Sequence, residues 1–207
     1  MNRPRDPALR QRLLERAVAY VLRHGVGGLS LRPLASEIGT TARMLIHHFG
    51  TKDRLLAEVL MAIESGFVAR TAAHRSAARS LSETLRGMWH ETAAPAMEPA
   101  LRAMFEVWGQ ALVQPHHYRS FLQALTEPWI EMLQQKLERS GHEPAGAAVL
   151  ATLVVGAFQG LQLVRLTSGE GARSEAALDE LLRRIDPGRT SAIGKRRASR
   201  SPARRLP

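Results

Sequence analysis

Between residues 24 and 51 the chain stops a helix three times. HGVGGLS (24–30) puts Gly25 at the usual C-terminal place of a helix, Gly39 breaks the next segment, and Gly50 ends a third before Thr51 caps a fourth. Leu31, Leu34, Ala35 and Ile38, then Leu45, keep helical apolar spacing between those stops. Two short helices, about 31–38 and 41–48, therefore turn tightly on one another. Ser30 is a good N-cap for the first, Pro33 falls harmlessly in its first turn, and Thr40 or Thr41 caps the second. Ala35 and Gly39 lie four apart. A small residue there lets the second helix approach, and a glycine in the turn accepts a left-handed backbone. That is helix-turn-helix spacing, in which the second helix presents its N-terminal residues to base edges in the DNA major groove. A buried helical hairpin has the same bare pattern.

The rest of the chain also reads as helix. Leu9, Leu13, Ala17 and Val21 repeat every four residues over about 8–24, and a long helix runs from about 52, with Asp53 in its first turn, into the seventies. Longer apolar-striped helices follow near 80–93, 98–113, 116–140, 144–168 and 174–186, punctuated by Pro95, Pro99, Pro115, Pro144 and GEGARS. Pro128 should kink the third of these. No stretch alternates as a strand would. The run AAVLATLVVGAFQGLQLVRL (147–166) is interrupted by Gln159, Gln162 and Arg165 and reads as a buried helix rather than a bilayer span. MNRPRDPALRQRLLERA lacks the apolar core of a signal peptide, and the absence of cysteine excludes disulfides and thiolate zinc sites; both fit a cytoplasmic protein.

Charge divides the chain in three. Residues 1–54 hold ten Lys/Arg against four Asp/Glu, 55–186 hold twelve against fifteen, and 187–207 hold seven against none, within a net charge of +10. Positive ends around a mildly acidic middle point to a polyanion that meets the ends. The tail, 188–207, is rich in Pro, Ser, Gly and Arg and is expected to be disordered.

LSLRPLASEIGTTARMLIHHFGTKDRLLAEVL (29–60) resembles the DNA-binding region of TetR-family repressors, and the resembling block covers about 8–68. The family pattern His-Phe-x-x-Lys-x-x-Leu is met by His48, Phe49, Lys52 and Leu55. The resemblance implies an all-α fold: an N-terminal three-helix helix-turn-helix DNA-binding domain (1–68, the motif about 31–50) joined to a larger helical ligand-binding and dimerisation domain (69–187). It implies that Ser30 and Lys52 hold phosphates and that Arg32 reaches the groove. Thr41, Ala42, Arg43 and Met44 match the base-facing residues, with Arg43 suited to a bidentate contact with guanine. His47 and His48 match backbone-contacting positions, although His48 is equally compatible with turning inward beside Phe49. Ile46 departs from the pattern: tyrosine is common there, and isoleucine cannot donate to a phosphate.

The resemblance further implies a double-stranded DNA operator, a small-molecule effector and a homodimer through about 144–186. Helices 144–168 and 174–186 carry more apolar surface than one side of a thin layer can hide, which favours a partner subunit, and Gly156 and Gly160 would permit its close approach. Candidate ligand contacts are Trp89, Phe105, Trp108, Phe121, Trp129, Phe158 and Gln162, with Met104 and Met132 beside them, although most such stripes are simply core. Few charges fall among them, which points to an apolar or aromatic effector. No cofactor is implied. An enzyme using the histidine pairs fits poorly: adjacent helical residues point about 100° apart, and no carboxylate stands at the four-residue spacing of zinc peptidases. An architectural DNA binder driven by its basic ends is the other alternative.

Overall fold

The stops read in the sequence are backbone events in the computed structural model, which describes residues 6–75, 80–113 and 115–185. α1 (Pro7–His24) ends on Gly25, whose φ is +78°. α2 (Leu31–Glu37) ends in a turn closed by Thr40 N donating to Ala35 O at 2.8 Å, with Gly39 at φ +71°. A side chain at Gly39 would be strained by that dihedral alone. From α1, an Arg16 guanidinium nitrogen donates to Ile38 O at 2.9 Å and ties the turn down. α3 (Ala42–Phe49) starts at Thr41, whose hydroxyl accepts from Met44 N at 3.2 Å. α4 (Lys52–Thr71) starts at Thr51, whose hydroxyl accepts from Arg54 N at 3.1 Å. Ser30 differs from its expectation. It holds the extended N-cap backbone of α2, but its side chain makes no capping bond.

α5 (Leu81–Ala93) opens with a reciprocal capping box between Ser80 and Glu83, and a 3-10 turn (Pro95–Met97) leads into α6 (Glu98–Val113). α7 (Pro115–Arg139) runs as one helix through Pro128. α8 (Pro144–Ser168) ends on Gly169, a left-handed residue at φ +73°, and α9 spans Gly171–Ile185. The last helix therefore begins three residues earlier than expected. Gly169 alone reverses the chain, and Gly171 sits in a first turn whose amides have no intrahelical partner to lose. No strand occurs among the described residues. The tail 188–207 lies outside them.

Two apolar cores result. The first packs Leu13, Ala17 and Val21 of α1, Leu34 and Ala35 of α2, Leu45 and Phe49 of α3, and Leu55, Val59 and Ile63 of α4. It is closed by Ala103 and Val107 of α6, so the N-terminal helices complete their interior with a helix from the second half of the chain. Truncating a fully buried leucine such as Leu34 or Leu45 should cost about 2–5 kcal/mol. The second core joins Leu85 and Trp89 of α5, Leu133 and Leu137 of α7, Ala147, Ala151 and Val154 of α8, and Leu178 and Leu182 of α9. α8 is, by length and composition, apolar enough to cross a membrane, which the sequence reading had discounted. Its packing accounts for one side of that apolar surface only. One side lies against α7 and α9 in the second core, while Val149 (70% exposed), Leu153 (55%), Leu163 and Val164 form a stripe on its outer side.

Candidate nucleic-acid interface and internal cavity

An eight-residue helix projects one face and buries the other. In α3 the inward side chains are Leu45, His48 and Phe49, spaced three and four apart as helical geometry requires. Thr41, Arg43 and Ile46 are exposed, Ala42, Met44 and His47 half-buried. Ser30 and Arg32 are exposed at the start of α2, and Lys52 is exposed as the first residue of α4, where free amides also face outward. His48 takes the inward of the two placements that the sequence left open. It is 3% exposed, its ring lying 6.5 Å from that of Phe49 and 5.1 Å, edge-on, from that of His47. A ring so enclosed has no path to a phosphate, so the histidine pair divides between core and surface.

Arg10 holds this helix in place, a role the sequence did not signal. Its Nε donates to His48 O at 3.3 Å, its guanidinium lies 4.9 Å from the Phe49 ring centre, and one terminal nitrogen reaches both Glu58 oxygens at 2.6 Å. α1, α3 and α4 are thereby joined at one side chain. Glu37 of α2 pairs with Arg23 at 2.7 Å and His24 at 3.0 Å, fixing the first helix of the motif to α1. No cluster of three His, Cys, Asp or Glu suited to a metal ion occurs among the described residues.

The second feature is a half-open cavity of about 120 Å³ lined by α4 through α8. Five of the sequence-predicted ligand contacts, Phe105, Trp108, Trp129, Phe158 and Gln162, line it, as does Met104. Trp89 does not. It is 4% exposed and packs edge-on behind Phe158 at 5.6 Å, filling the core rather than facing the space. Met132 likewise packs against the second core. The Phe121 side chain lies outside the described residues. Ile63, Glu64 and Phe67 of α4 line the cavity as well, and sequence reasoning missed all three. Glu64 is three residues before Phe67 and four after Leu60 on the inward side of α4, the one signal that would have found it. Burial pushes its carboxyl above the ordinary carboxylate range, opposed by a hydrogen bond from Trp129 and by the nearby charge of Arg75.

α4 thus runs from Lys52, on the same exposed end as α3, to Phe67 on the cavity wall, about 1.5 Å per residue along one rigid rod. α6 forms a second link. Glu106 turns away from the cavity and accepts from the backbone amides of Val26 and Gly27, in the loop between α1 and α2.

Residues 13–59 match the family model described as bacterial regulatory proteins of the tetR family. No curated protein matches the sequence. Several solved structures share the fold. A transcriptional regulator from Rhodococcus sp. RHA1 superposes with a TM-score of 0.74 at 21% identity, over 86% of this chain and 96% of that one. A putative transcriptional regulator from Saccharomonospora viridis, solved in complex with choline, gives 0.72 at 20% identity, over 86% and 96%. A TetR transcriptional regulator from Legionella pneumophila gives 0.63 at 21% identity, over 85% and 94%. At these identities the structures speak for the fold, and the family rests on the N-terminal match. Residues 13–59 thus carry a DNA-binding domain like that of the tetR family of bacterial regulatory proteins, on a chain with the fold of solved transcriptional regulators.

Proposed function

We propose that the protein is a cytoplasmic, homodimeric repressor that leaves its operator when a small molecule fills the internal cavity. In this reading residues 1–68 are the reading head and 69–187 the sensor. Arg43 reads guanine, with Thr41, Ala42 and Met44 beside it at the base edges. Ser30, Arg32, His47 and Lys52 seat the helix on the backbone, and His48 is withdrawn from that set because it is buried. Ile46, 41% exposed, offers methyl-to-methyl contact with thymine where a tyrosine would have bonded a phosphate.

The observation that carries the reading is α4, which is at once the support of α3 and a wall of the cavity. A ligand that favours one placement of Ile63 and Phe67 favours one placement of Lys52, and regulation follows from that difference in affinity. The choline complex of the Saccharomonospora viridis regulator supports a small-molecule effector for this fold. The outer stripe of α8 supports the dimer. Gly156 and Gly160 lie on it with open space around them, so a partner helix can approach closely. Two reading heads related by a two-fold then require a near-palindromic operator.

Sequencing the DNA selected by the wild-type protein and by Arg43→Ala tests the interface. The wild type should select a near-palindrome, and the variant should lose discrimination at one base pair per half-site, by about 1–3 kcal/mol. An unchanged preference in the variant would reject this placement of α3.

A further inference from the structure

The cavity wall carries one formal charge among the described residues, the Glu64 carboxylate. Two amides, Gln159 and Gln162, also line the cavity, and the second is already occupied. Gln162 donates to the Thr92 hydroxyl, and its oxygen accepts from Arg165 at 3.1 Å. Arg165 itself does not line the space. Glu64 has acceptor capacity left, because a carboxylate offers roughly four lone-pair sites.

Aromatic side chains line the same space as that carboxylate. Phe67 and Trp129 meet at 5.3 Å and 56°, Phe105 and Trp108 at 5.5 Å and 83°. The protein already sets a cation against this cluster. The Arg75 guanidinium carbon lies 4.4 Å from the Trp129 ring centre, within electrostatic reach of Glu64, yet Arg75 does not line the cavity. The Trp108 indole N–H is buried without a partner, a donor that an acceptor on a guest would satisfy.

These features select by charge. A neutral apolar guest adds nothing to the Arg75 charge that partly offsets this half-buried carboxylate, and an anion adds repulsion to it. An alkylated ammonium supplies the opposite charge and brings an apolar surface that suits aromatic faces. The space is similar in scale to an engineered cavity of about 150 Å³ that holds benzene, so a guest of roughly five to ten heavy atoms fits. We infer that the cavity selects a compact organic cation, a tertiary or quaternary ammonium, with Glu64 as its counter-ion and Trp129 as the principal ring against it. This deepens the effector reading above and rests on it.

Calorimetry on the full chain tests the inference with tetramethylammonium, choline and neohexyl alcohol, the neutral carbon isostere of choline. The cations should bind at least tenfold tighter than the alcohol, about 1.4 kcal/mol. Glu64→Gln should collapse that ratio to within threefold while leaving the alcohol's affinity unchanged. The wild-type comparison stands by itself if the variant fails to fold. Equal binding of the alcohol and choline, a variant that keeps the preference, or no binding by either cation would each overturn the inference. Operator release is measured separately. A cation that binds through Glu64 but leaves DNA affinity unchanged upholds the inference and sinks the effector reading. A neutral or anionic compound that fills the cavity and releases DNA, where cations do not, does the reverse.

Discussion

Glu106 should be the point where the sensor grips the reading head, and a double-mutant cycle with Gly25 measures that grip. The Glu106 carboxylate accepts from the Val26 and Gly27 amides, the second at 3.2 Å, and it lies against Gly25. A Cβ at Gly25 would come within 2.6 Å of one of its oxygens. Gly25 also has φ +78° and ψ 175°, a region essentially restricted to glycine, so Gly25→Ala carries backbone strain of about 1–3 kcal/mol whatever stands nearby. Charge-assisted bonds to backbone amides are worth about 1.5–3 kcal/mol when sheltered, and Glu106 is exposed, so the clamp is worth about 1–2 kcal/mol after screening. Gly25→Ala therefore loses strain plus clamp in the wild type. In the Glu106→Ala background it loses strain alone. Urea midpoints at one fixed protein concentration should give a coupling energy of about 1–2 kcal/mol, and the Val26 and Gly27 amides should exchange faster in both single variants. Additivity within about 0.5 kcal/mol, or unchanged exchange at those amides, would refute the clamp.

Other outcomes follow from the same geometry. Lys52→Ala should weaken DNA binding on every sequence and lower the salt slope by about one, as a titration of affinity against salt would read. Arg10→Ala should cost about 1–3 kcal/mol in urea unfolding, because it leaves Glu58 and the His48 carbonyl without their partner, and Arg10→Lys should recover little because it cannot keep the stack on Phe49. Leu153→Glu on the outer stripe of α8 should shift sedimentation from dimer to monomer with little change in helix content. Glu64→Gln should raise the melting temperature near neutral pH. The folded carboxyl holds its proton more tightly than the unfolded one, so wild-type stability falls as pH rises above the unfolded value, and the advantage of the variant should vanish below that value. A wild-type stability that instead rises through that window would contradict the desolvation of Glu64.

The helices were legible because apolar period, caps and stops agreed with one another, and their ends moved by only a few residues. His48 was legible too, as one of two open placements that the helical spacing could have decided. Leu45, His48 and Phe49 stand at i, i+3 and i+4, which puts all three on one face of α3 before any family is considered. Ser30 shows the opposite limit. Its identity and backbone suit a cap, but nothing local determines where a hydroxyl turns. Arg10 was not legible, since its partners lie 38 and 48 residues away and only the packing of α1 across α3 and α4 brings them together. The cavity was half legible. Aromatic residues announced a wall, while the charge on it was overlooked because Glu64 lies on α4, outside the helices in which wall residues were sought.

That charge bears on how α4 can work as a link. A rod packed between two cores transmits a shift only if it has a second arrangement that a ligand favours. Leu55, Val59 and Leu60 bind the first part of α4 into an interior with almost no exposure, which opposes sliding there. Glu64 is different, because a carboxylate beside apolar walls is a standing cost that a cation at the cavity would relieve. The two ends of α4 are thus unequal: one is held by packing, and the other is held by a contact that a guest can replace. Glu106 fixes α6, another wall of the cavity, to the α1–α2 loop, so in the proposed reading a displacement at Glu64 would reach Lys52 along α4 rather than through α6.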